Sequence, residues 1–167
     1  NTRSRGLGDV YKRQEYIEKS IESVLNQTIK NFELIIIDDG STDRSLEILK
    51  KYENNKDIKF IKQKNKGLNV TNNIALRISK GKYIIRLDAD DWLEKNALEV
   101  LSNHMEKHDE IGLVFADYYK VNNKGQIIEE IRRHDFEEVT LLDQPAHGAC
   151  TLITVSYTHL RAHETAY

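Results

Sequence analysis

The pattern of apolar and polar positions changes its period several times along the chain. Apolar residues first recur at intervals of three and four, which predicts an amphipathic helix over about 16–25. Short continuous apolar runs then predict buried strands, with stretches of helical period between them. The predicted strands cover 32–37, 58–61, 83–87 and 112–116, and the predicted helices cover about 46–52, 70–78 and 95–107. A turn at 122–125 joins two further strands, 118–121 and 126–131, in a hairpin.

Strands that alternate with helices predict an α/β fold, with a largely parallel sheet covered by helices on both faces. A chain of 167 residues, 39% of them hydrophobic, is long enough for one domain with a substantial core. Folds of this class open on a strand, yet no strand is predicted before the first helix. We therefore expect the first strand of the sheet to be missing.

The two ends of the chain resemble the translation of one sequencing-adaptor oligonucleotide read from opposite strands. The sequence SRGLGDVYKRQ at 4–14 can be written in codons whose reverse complement, read one frame over, encodes VSYTHLRAHE at 155–164. Inverted copies at both ends of one reading frame are not expected by chance. We therefore interpret 1–14 and 155–167 as non-native segments and 15–154 as the native domain.

Without these ends the chain is mildly acidic. Five of the 25 Lys and Arg and two of the 27 Asp and Glu lie in the ends, which leaves 20 against 25 and a net charge of −5 instead of −2. Such a surface has no basic footprint for nucleic acid. No apolar stretch approaches the roughly 20 residues that span a bilayer. The single cysteine, Cys150, excludes an internal disulfide and fits a reducing compartment.

Carboxylates follow two of the predicted strands. Asp38 and Asp39 come directly after one apolar run, and Asp88, Asp90 and Asp91 come directly after another. Neighbouring carboxylates repel one another and resist burial, so they need water, a cation or a helix N-terminus nearby. In an open α/β sheet, ligands bind at the carboxyl ends of the strands. The first pair could accept a hydrogen bond from a base N–H or a ribose hydroxyl, and the second cluster suits a divalent metal that carries phosphates.

Structural roles compete with these interpretations. Ser41, Thr42 or Asp43 could cap the helix that follows the first acidic pair. Asp91 could equally be an N-cap or a first-turn acid of the next helix. Trp92 is expected to pack in the core rather than to stack on a sugar.

Three motifs, in this order and spacing, carry a family resemblance: DDGSTD at 38–43, NKG at 65–67 and GKYIIRLDADD at 81–91. Together they resemble the family 2 glycosyltransferases, which are nucleotide-sugar-dependent enzymes with the GT-A fold. The resemblance covers residues 15–117. It implies an inverting enzyme that transfers a sugar from a nucleoside diphosphate sugar, with a UDP-sugar favoured, to a saccharide or lipid-linked acceptor. A bacterial parent enzyme of this kind would make surface polysaccharide or glycolipid in the cytoplasm, at the inner face of the cell membrane.

The resemblance also implies roles for individual residues. Asp38 or Asp39 would recognise the nucleobase or the ribose. Asp90 would coordinate a Mn²⁺ or Mg²⁺ ion, and Asp88 would bind the ribose or the same metal, which would bridge the diphosphate and stabilise the leaving group. The residues implied in nucleotide-sugar binding are Asp38, Asp39, Asn65, Gly67 and Asp88.

The chain departs from the family pattern in two places. The family usually continues after the second motif with Ala-Arg-Asn, whereas Thr71, Asn72 and Asn73 stand here, so Asn72 replaces the arginine that would face the nucleotide. The family also carries a later acidic motif that supplies the general base for the acceptor hydroxyl. We expect this base and the acceptor-binding region to lie beyond Thr154. The chain is therefore predicted to retain no catalytic residue and to be inactive.

Two other protein classes share features of this pattern. A receiver-like signalling domain also has a doubly wound sheet and an acidic pair, but it needs a lone phosphorylatable Asp and a lysine at a later strand end. A nucleotidyltransferase needs a Gly-rich, basic first loop. His147 and Cys150 are spaced as metal ligands or a nucleophilic pair could be, but without further ligands nearby we expect a loop histidine and a core cysteine.

Overall fold

The computed structural model of the chain describes residues 7–122, 124–132 and 151–154. Its first element is a long helix, and strands and helices then alternate through most of the chain. In chain order the elements are α1 (Leu7–Leu25), β1 (Leu34–Asp39), α2 (Ser45–Leu49) with a 3-10 turn (Lys50–Tyr52), β2 (Ile58–Gln63), α3 (Leu68–Ile78), β3 (Tyr83–Ile85), α4 (Ala97–Lys107), β4 (Leu113–Phe115), β5 (Tyr118–Val121), β6 (Ile127–Ile131) and β7 (Thr151–Thr154).

The helices and strands predicted from periodicity are present, and apart from the start of α1 their ends shift by at most two residues when the 3-10 turn is counted with α2. Helix α1 begins at Leu7 and so includes part of 1–14; the adaptor origin of that segment stays a prediction. Strand β1 ends at Asp39, so both of its carboxylates belong to the strand instead of following it. Strand β3 ends at Ile85, which leaves 86–96 as an irregular segment before α4.

Strand pairing combines parallel and antiparallel ladders. β1 and β2 pair in parallel, in a register that runs from Leu34 opposite Ile58 to Asp39 opposite Gln63. β7 lies between β3 and β4 and pairs antiparallel with both, so β3 and β4 point in the same direction. β5 and β6 form the expected antiparallel hairpin. The α/β class is confirmed, whereas the insertion of β7 was not predicted because its neighbours in the sheet are distant in sequence.

Among the residues that the structure describes, the core consists of three apolar clusters, and α1 contributes to two of them. Ile21 of α1 packs with Leu49 and Ile58, and Val24, one helical turn further on, packs with Leu93 and Leu98. The third cluster is formed by Leu101 and Met105 of α4. Because its apolar face touches both β2 and the segment that follows β3, α1 holds these two parts of the fold together. Within the described ranges, no helix is both long enough and apolar enough to cross a bilayer.

Candidate functional site

The turn after β1 needs a glycine because another loop approaches it closely. Gly40 has φ +81°, and a Cβ at this position would lie 2.7 Å from the backbone nitrogen of Asn65. A side chain would therefore meet both an unfavourable backbone conformation and a clash with the main chain. This contact brings the first motif against the second, because β1 and β2 pair in parallel and both motifs lie at the same end of these strands.

Asp39 joins the same two motifs through its carboxylate. Its Oδ1 accepts hydrogen bonds from Gln63 Nε2 at 2.7 Å and from the backbone N–H of Lys66 at 2.9 Å. Its Oδ2 accepts one from the backbone N–H of Gly67 at 2.9 Å, at the start of α3. These bonds, led by that from Lys66, hold the pKa of Asp39 below its ordinary value because they favour the charged carboxylate. Asp39 and Gly67 are thus in direct contact, and Asn65 lies beside them.

Asp38 is placed differently although it is adjacent in sequence. Only 3% of its surface is exposed. Its Oδ1 accepts a hydrogen bond from the backbone N–H of Ser41 at 3.0 Å, and its Oδ2 has no hydrogen-bond partner among the described residues. None of the three candidate helix caps, Ser41, Thr42 and Asp43, occupies the N-cap position of α2, which is Arg44. Asp43, one residue earlier, still accepts a hydrogen bond from the N–H of Ser45, the first residue of α2.

Two residues that sequence reasoning did not assign to the site support Asp39. Gln63 lies opposite Asp39 in the β1–β2 register, and its Nε2 also donates to Thr71 Oγ1 at 3.0 Å. Thr71 Oγ1 in turn donates to the carbonyl of Gly67 at 3.0 Å. The sequence identifies Thr71 only as a departure from the family motif. Gln63 carries no motif of its own and could be found only from the register of the two strands.

The second acidic group lies on the irregular segment 86–96, which we call the acidic loop. A tight turn, closed by a hydrogen bond from the N–H of Asp91 to the carbonyl of Asp88 at 3.0 Å, gathers its carboxylates. Asp88 is exposed and accepts a hydrogen bond from Arg86 Nη2 at 2.9 Å. Burial, and then the charges of Asp90 and Asp88, raise the pKa of Asp91. The three carboxylates are therefore close enough to repel one another.

One role proposed for the acidic loop is wrong. Helix α4 begins at Ala97, and its N-cap position is Asn96, so Asp91 neither caps this helix nor lies in its first turn. Residues 88–91 form the turn that gathers the carboxylates, and this turn ends several residues before α4 begins. Trp92, expected in the core, is only half-buried, and the Lys19 ammonium lies 3.2 Å from the centroid of its ring in a cation–π contact.

The donor set of the acidic loop suits a metal that shares its coordination with a ligand. In the part of the chain that the structure describes, no group of three or more His, Cys, Asp or Glu side chains could hold a metal ion by itself. Mg²⁺ in phosphate-transfer sites usually takes one or two carboxylates and completes its octahedron with water and substrate phosphates, and carboxylate and water oxygens also suit Mn²⁺. Asp88 and Asp90 could supply two such hard oxygen ligands. They fit this shared mode of binding and do not fit an all-protein cage.

Several further residues of interest fall elsewhere. Asn72 lies on α3 and is half-buried, and the effect of its replacing arginine stays a prediction. His147, Cys150 and the region beyond Thr154, in which the general base is expected, lie outside the described residues.

Comparison with solved structures shows the fold. The chain superimposes on S. aureus TarS 1-349 with a TM-score of 0.71 and 23% identity, covering 90% of this chain and 46% of that one. It superimposes on the mannosyltransferase PcManGT from Pyrobaculum calidifontis, solved in complex with GDP-Man and Mn²⁺, with a TM-score of 0.50 and 21% identity over 62% of this chain and 32% of that one. These neighbours are GT-A glycosyltransferases, which confirms the predicted fold.

Comparison of sequences also leads to the glycosyltransferases. Residues 9–157 match the family model described as glycosyl transferase family 2. The chain is 40% identical to chondroitin synthase of Escherichia coli over 119 residues, which are 71% of this chain and 17% of that protein. It is 36% identical to hyaluronan synthase of Pasteurella multocida over 71% of this chain and 12% of that protein. The chain thus spans less than a fifth of these two relatives, and it belongs to glycosyltransferase family 2.

Proposed function

We propose that this chain is the donor-binding part of an inverting, metal-dependent glycosyltransferase. The enzyme would transfer a sugar from a nucleoside diphosphate sugar to a saccharide or lipid-linked acceptor, in the synthesis of a bacterial surface polysaccharide or glycolipid. The observation that carries the proposal is the acidic loop, in which a tight turn, closed by the hydrogen bond from the N–H of Asp91 to the carbonyl of Asp88 at 3.0 Å, gathers three carboxylates. A cation and a diphosphate would together relieve the repulsion among these carboxylates.

The metal would be held by Asp90, with Asp88 as a second ligand or as a ribose contact. A Mn²⁺ or Mg²⁺ ion bound there would neutralise the charge that develops on the diphosphate leaving group. Asp88 already pairs with Arg86, and both side chains are about half exposed, so the carboxylate can exchange this partner for an ion at little cost. Asp90 is exposed on the same turn and is open to solvent.

The acceptor groups of Asp39 favour uracil as the base. An ionised carboxylate offers about four lone-pair sites, and three of those on Asp39 are taken by Gln63, Lys66 and Gly67. The remaining site, on Oδ2, can accept one N–H, which is what the N3 position of uracil offers. Guanine presents two adjacent donors that would need both carboxylate oxygens. We therefore propose that Asp39 contacts the base of a UDP-sugar, while Asp38, with 3% of its surface exposed, supports the strand end.

The ligands and products of similar proteins support these assignments. S. aureus TarS 1-349 has been solved in complex with UDP and with UDP-GlcNAc, and the P. calidifontis mannosyltransferase in complex with GDP-Man and Mn²⁺. Chondroitin synthase and hyaluronan synthase are named for polysaccharide products. A saccharide acceptor, and action at the inner face of the cell membrane, follow from this likeness as parts of the proposal. Family membership also favours it over a receiver domain or a nucleotidyltransferase.

The proposal is tested by calorimetric titration of the chain with UDP, with and without Mn²⁺. We expect UDP to bind only when Mn²⁺ is present, and more tightly than GDP. Asp90→Asn should abolish the binding of UDP that Mn²⁺ supports. Asp57→Asn is the matched control, because it removes the same charge at an exposed position at the opposite end of β2 from Gln63. Equal UDP affinity with and without Mn²⁺ in the wild-type chain would refute the metal-dependent site, and a preference for GDP would refute the assignment of the base.

A further inference from the structure

The backbone of the acidic loop is tied to α1 by one buried amide side chain. Gln27, just beyond the end of α1, has 1% of its surface exposed. Its Nε2 donates to the carbonyl of Ser23 at 2.9 Å and to that of Glu94 at 2.7 Å, and its Oε1 accepts from the N–H of Leu98 at 2.9 Å. Both donors and one acceptor site of this amide are therefore used, and two of the three bonds reach the acidic loop or the start of α4.

Ser23 makes the next connection along the same face of α1. Its Oγ donates to the carbonyl of Ser20 at 2.7 Å and accepts from the N–H of Leu93 at 3.0 Å. Ser20 Oγ makes a longer contact, 3.4 Å, with the carbonyl of Asp88. Polar side chains at the end of α1 and just beyond it thus contact the backbone of the acidic loop at Asp88, Leu93 and Glu94, and the backbone of α4 at Leu98.

These bonds matter because the acidic loop has no ladder or helix of its own to define its shape. Residues 86–96 lie between β3 and α4 without regular secondary structure. A backbone N–H or C=O that is buried without a partner is costly, so the loop is held in the conformation that satisfies Gln27 and Ser23. Leu93, which packs against Val24 of α1, anchors the same segment by burial.

We infer that Gln27 and Ser23 are positioning residues of the metal site, and this inference rests on the function proposed above. They do not touch the ion. They hold the loop so that Asp88 and Asp90 present their oxygens together at the turn. Removal of residues that orient metal ligands typically lowers metal affinity by about 10- to 100-fold. The expected effect is therefore a weaker metal site in a protein that is still folded.

The chain supplies its own probe for this effect. Trp92 is the only tryptophan, and it is adjacent to Asp91 on the acidic loop. Mn²⁺ is paramagnetic and quenches a nearby indole, so a fluorescence titration with Mn²⁺ at a fixed, excess concentration of UDP measures the Mn²⁺ dissociation constant without any need for turnover. We expect Gln27→Met and Ser23→Ala to raise this constant about tenfold or more, and Ser23→Thr, which keeps the hydroxyl, to stay within about twofold of wild type.

Ile21→Val is the matched control for lost stability. Ile21 lies on α1 with 6% of its surface exposed, but it packs against Leu49 and Ile58 and not against the acidic loop. This variant should lower the melting temperature and leave the Mn²⁺ dissociation constant unchanged. A weaker Mn²⁺ site in Ile21→Val, of the same size as in Gln27→Met, would show that the effect is one of general stability and would overturn the inference.

Amide hydrogen exchange in the metal-free protein gives an independent measurement. In Gln27→Met the Leu98 N–H loses its acceptor, so it should exchange at least about tenfold faster than in the wild type, whereas the amide of Leu49 should change much less. Unchanged exchange at Leu98 would overturn the inference. If the wild-type chain binds Mn²⁺ and Gln27→Met binds it equally, only the positioning role fails. If the wild-type chain binds no Mn²⁺ with UDP present, the proposed function fails together with it.

Discussion

Replacement of Gly40 by alanine is the perturbation whose cost the structure specifies best. The new Cβ would lie 2.7 Å from Asn65 N, 3.2 Å from Asn65 Cβ and 3.3 Å from Asn65 Cα. The nearest of these atoms belongs to the backbone and cannot rotate away, so the two loops must move apart. Such overpacking costs about 1–3 kcal/mol. The left-handed backbone at φ +81° adds about 1–2 kcal/mol for any residue with a Cβ. Gly40→Ala should therefore lower the free energy of unfolding by about 2–5 kcal/mol.

Gly125→Ala separates these two contributions. Gly125 also has a positive φ, +73°, but the nearest atom to a methyl group added there is the flexible end of Lys19, at 3.5 Å. This control should lose only the conformational contribution of about 1–2 kcal/mol. Urea unfolding followed by circular dichroism gives both values. The reasoning is refuted if Gly40→Ala is no less stable than Gly125→Ala, because the close approach of the two loops would then carry no energy.

Three further predictions concern the acidic loop, the Asp39 network and the core. Arg86→Ala should leave stability unchanged and tighten Mn²⁺ binding by at most about fivefold, since an exposed pair with Asp88 is worth no more than about 1 kcal/mol; weaker binding in the fluorescence titration would contradict this. Because the pKa of Asp39 is lowered in the folded protein, its carboxylate stabilises the fold above its unfolded pKa of about 3.9 and loses this effect as the pH falls through the folded value. The stability difference between wild type and Asp39→Asn in urea should therefore shrink between about pH 7 and pH 3, and a difference that does not change with pH would contradict it. Met105→Ala should cost about 2–5 kcal/mol, since 2% of this side chain is exposed, whereas Val100→Ala, 56% exposed, should stay within about 0.5 kcal/mol; equal costs for the two would show that α4 is not packed as described.

The alternation of helices and strands is predictable from periodicity because each element buries one face. Ile21 and Val24 lie one helical turn apart on α1, and each packs in one of two apolar clusters on the same side of the helix. The strand ends are less predictable. The apolar run at 35–37 stops before Asp38, yet β1 continues through both carboxylates, because their backbone groups pair with β2 whatever side chains they carry.

The sequence predicts which residues belong to the candidate site, but it does not predict what each of them contacts. Spacing places Asp38 and Asp39 together, but nothing local distinguishes a buried carboxylate from one held by Gln63, Lys66 and Gly67. The register of β1 with β2 makes that distinction. The role of Gln27 could not be found from the sequence, since its partners Glu94 and Leu98 are 67 and 71 residues away.

The sequence by itself determined the α/β class, the order of the elements from α1 to β6, the family and the two acidic groups of the candidate site. These depend on period, composition and motif, which are local properties of the chain. Only the tertiary structure decided that Asp39 joins the two loops while Asp38 is buried, that Asp91 belongs to a turn and does not cap a helix, and that α1 holds the acidic loop. The physical reason is that a polar side chain takes its role from the hydrogen-bond partners and the solvent around it, and in this fold those partners come from distant parts of the chain.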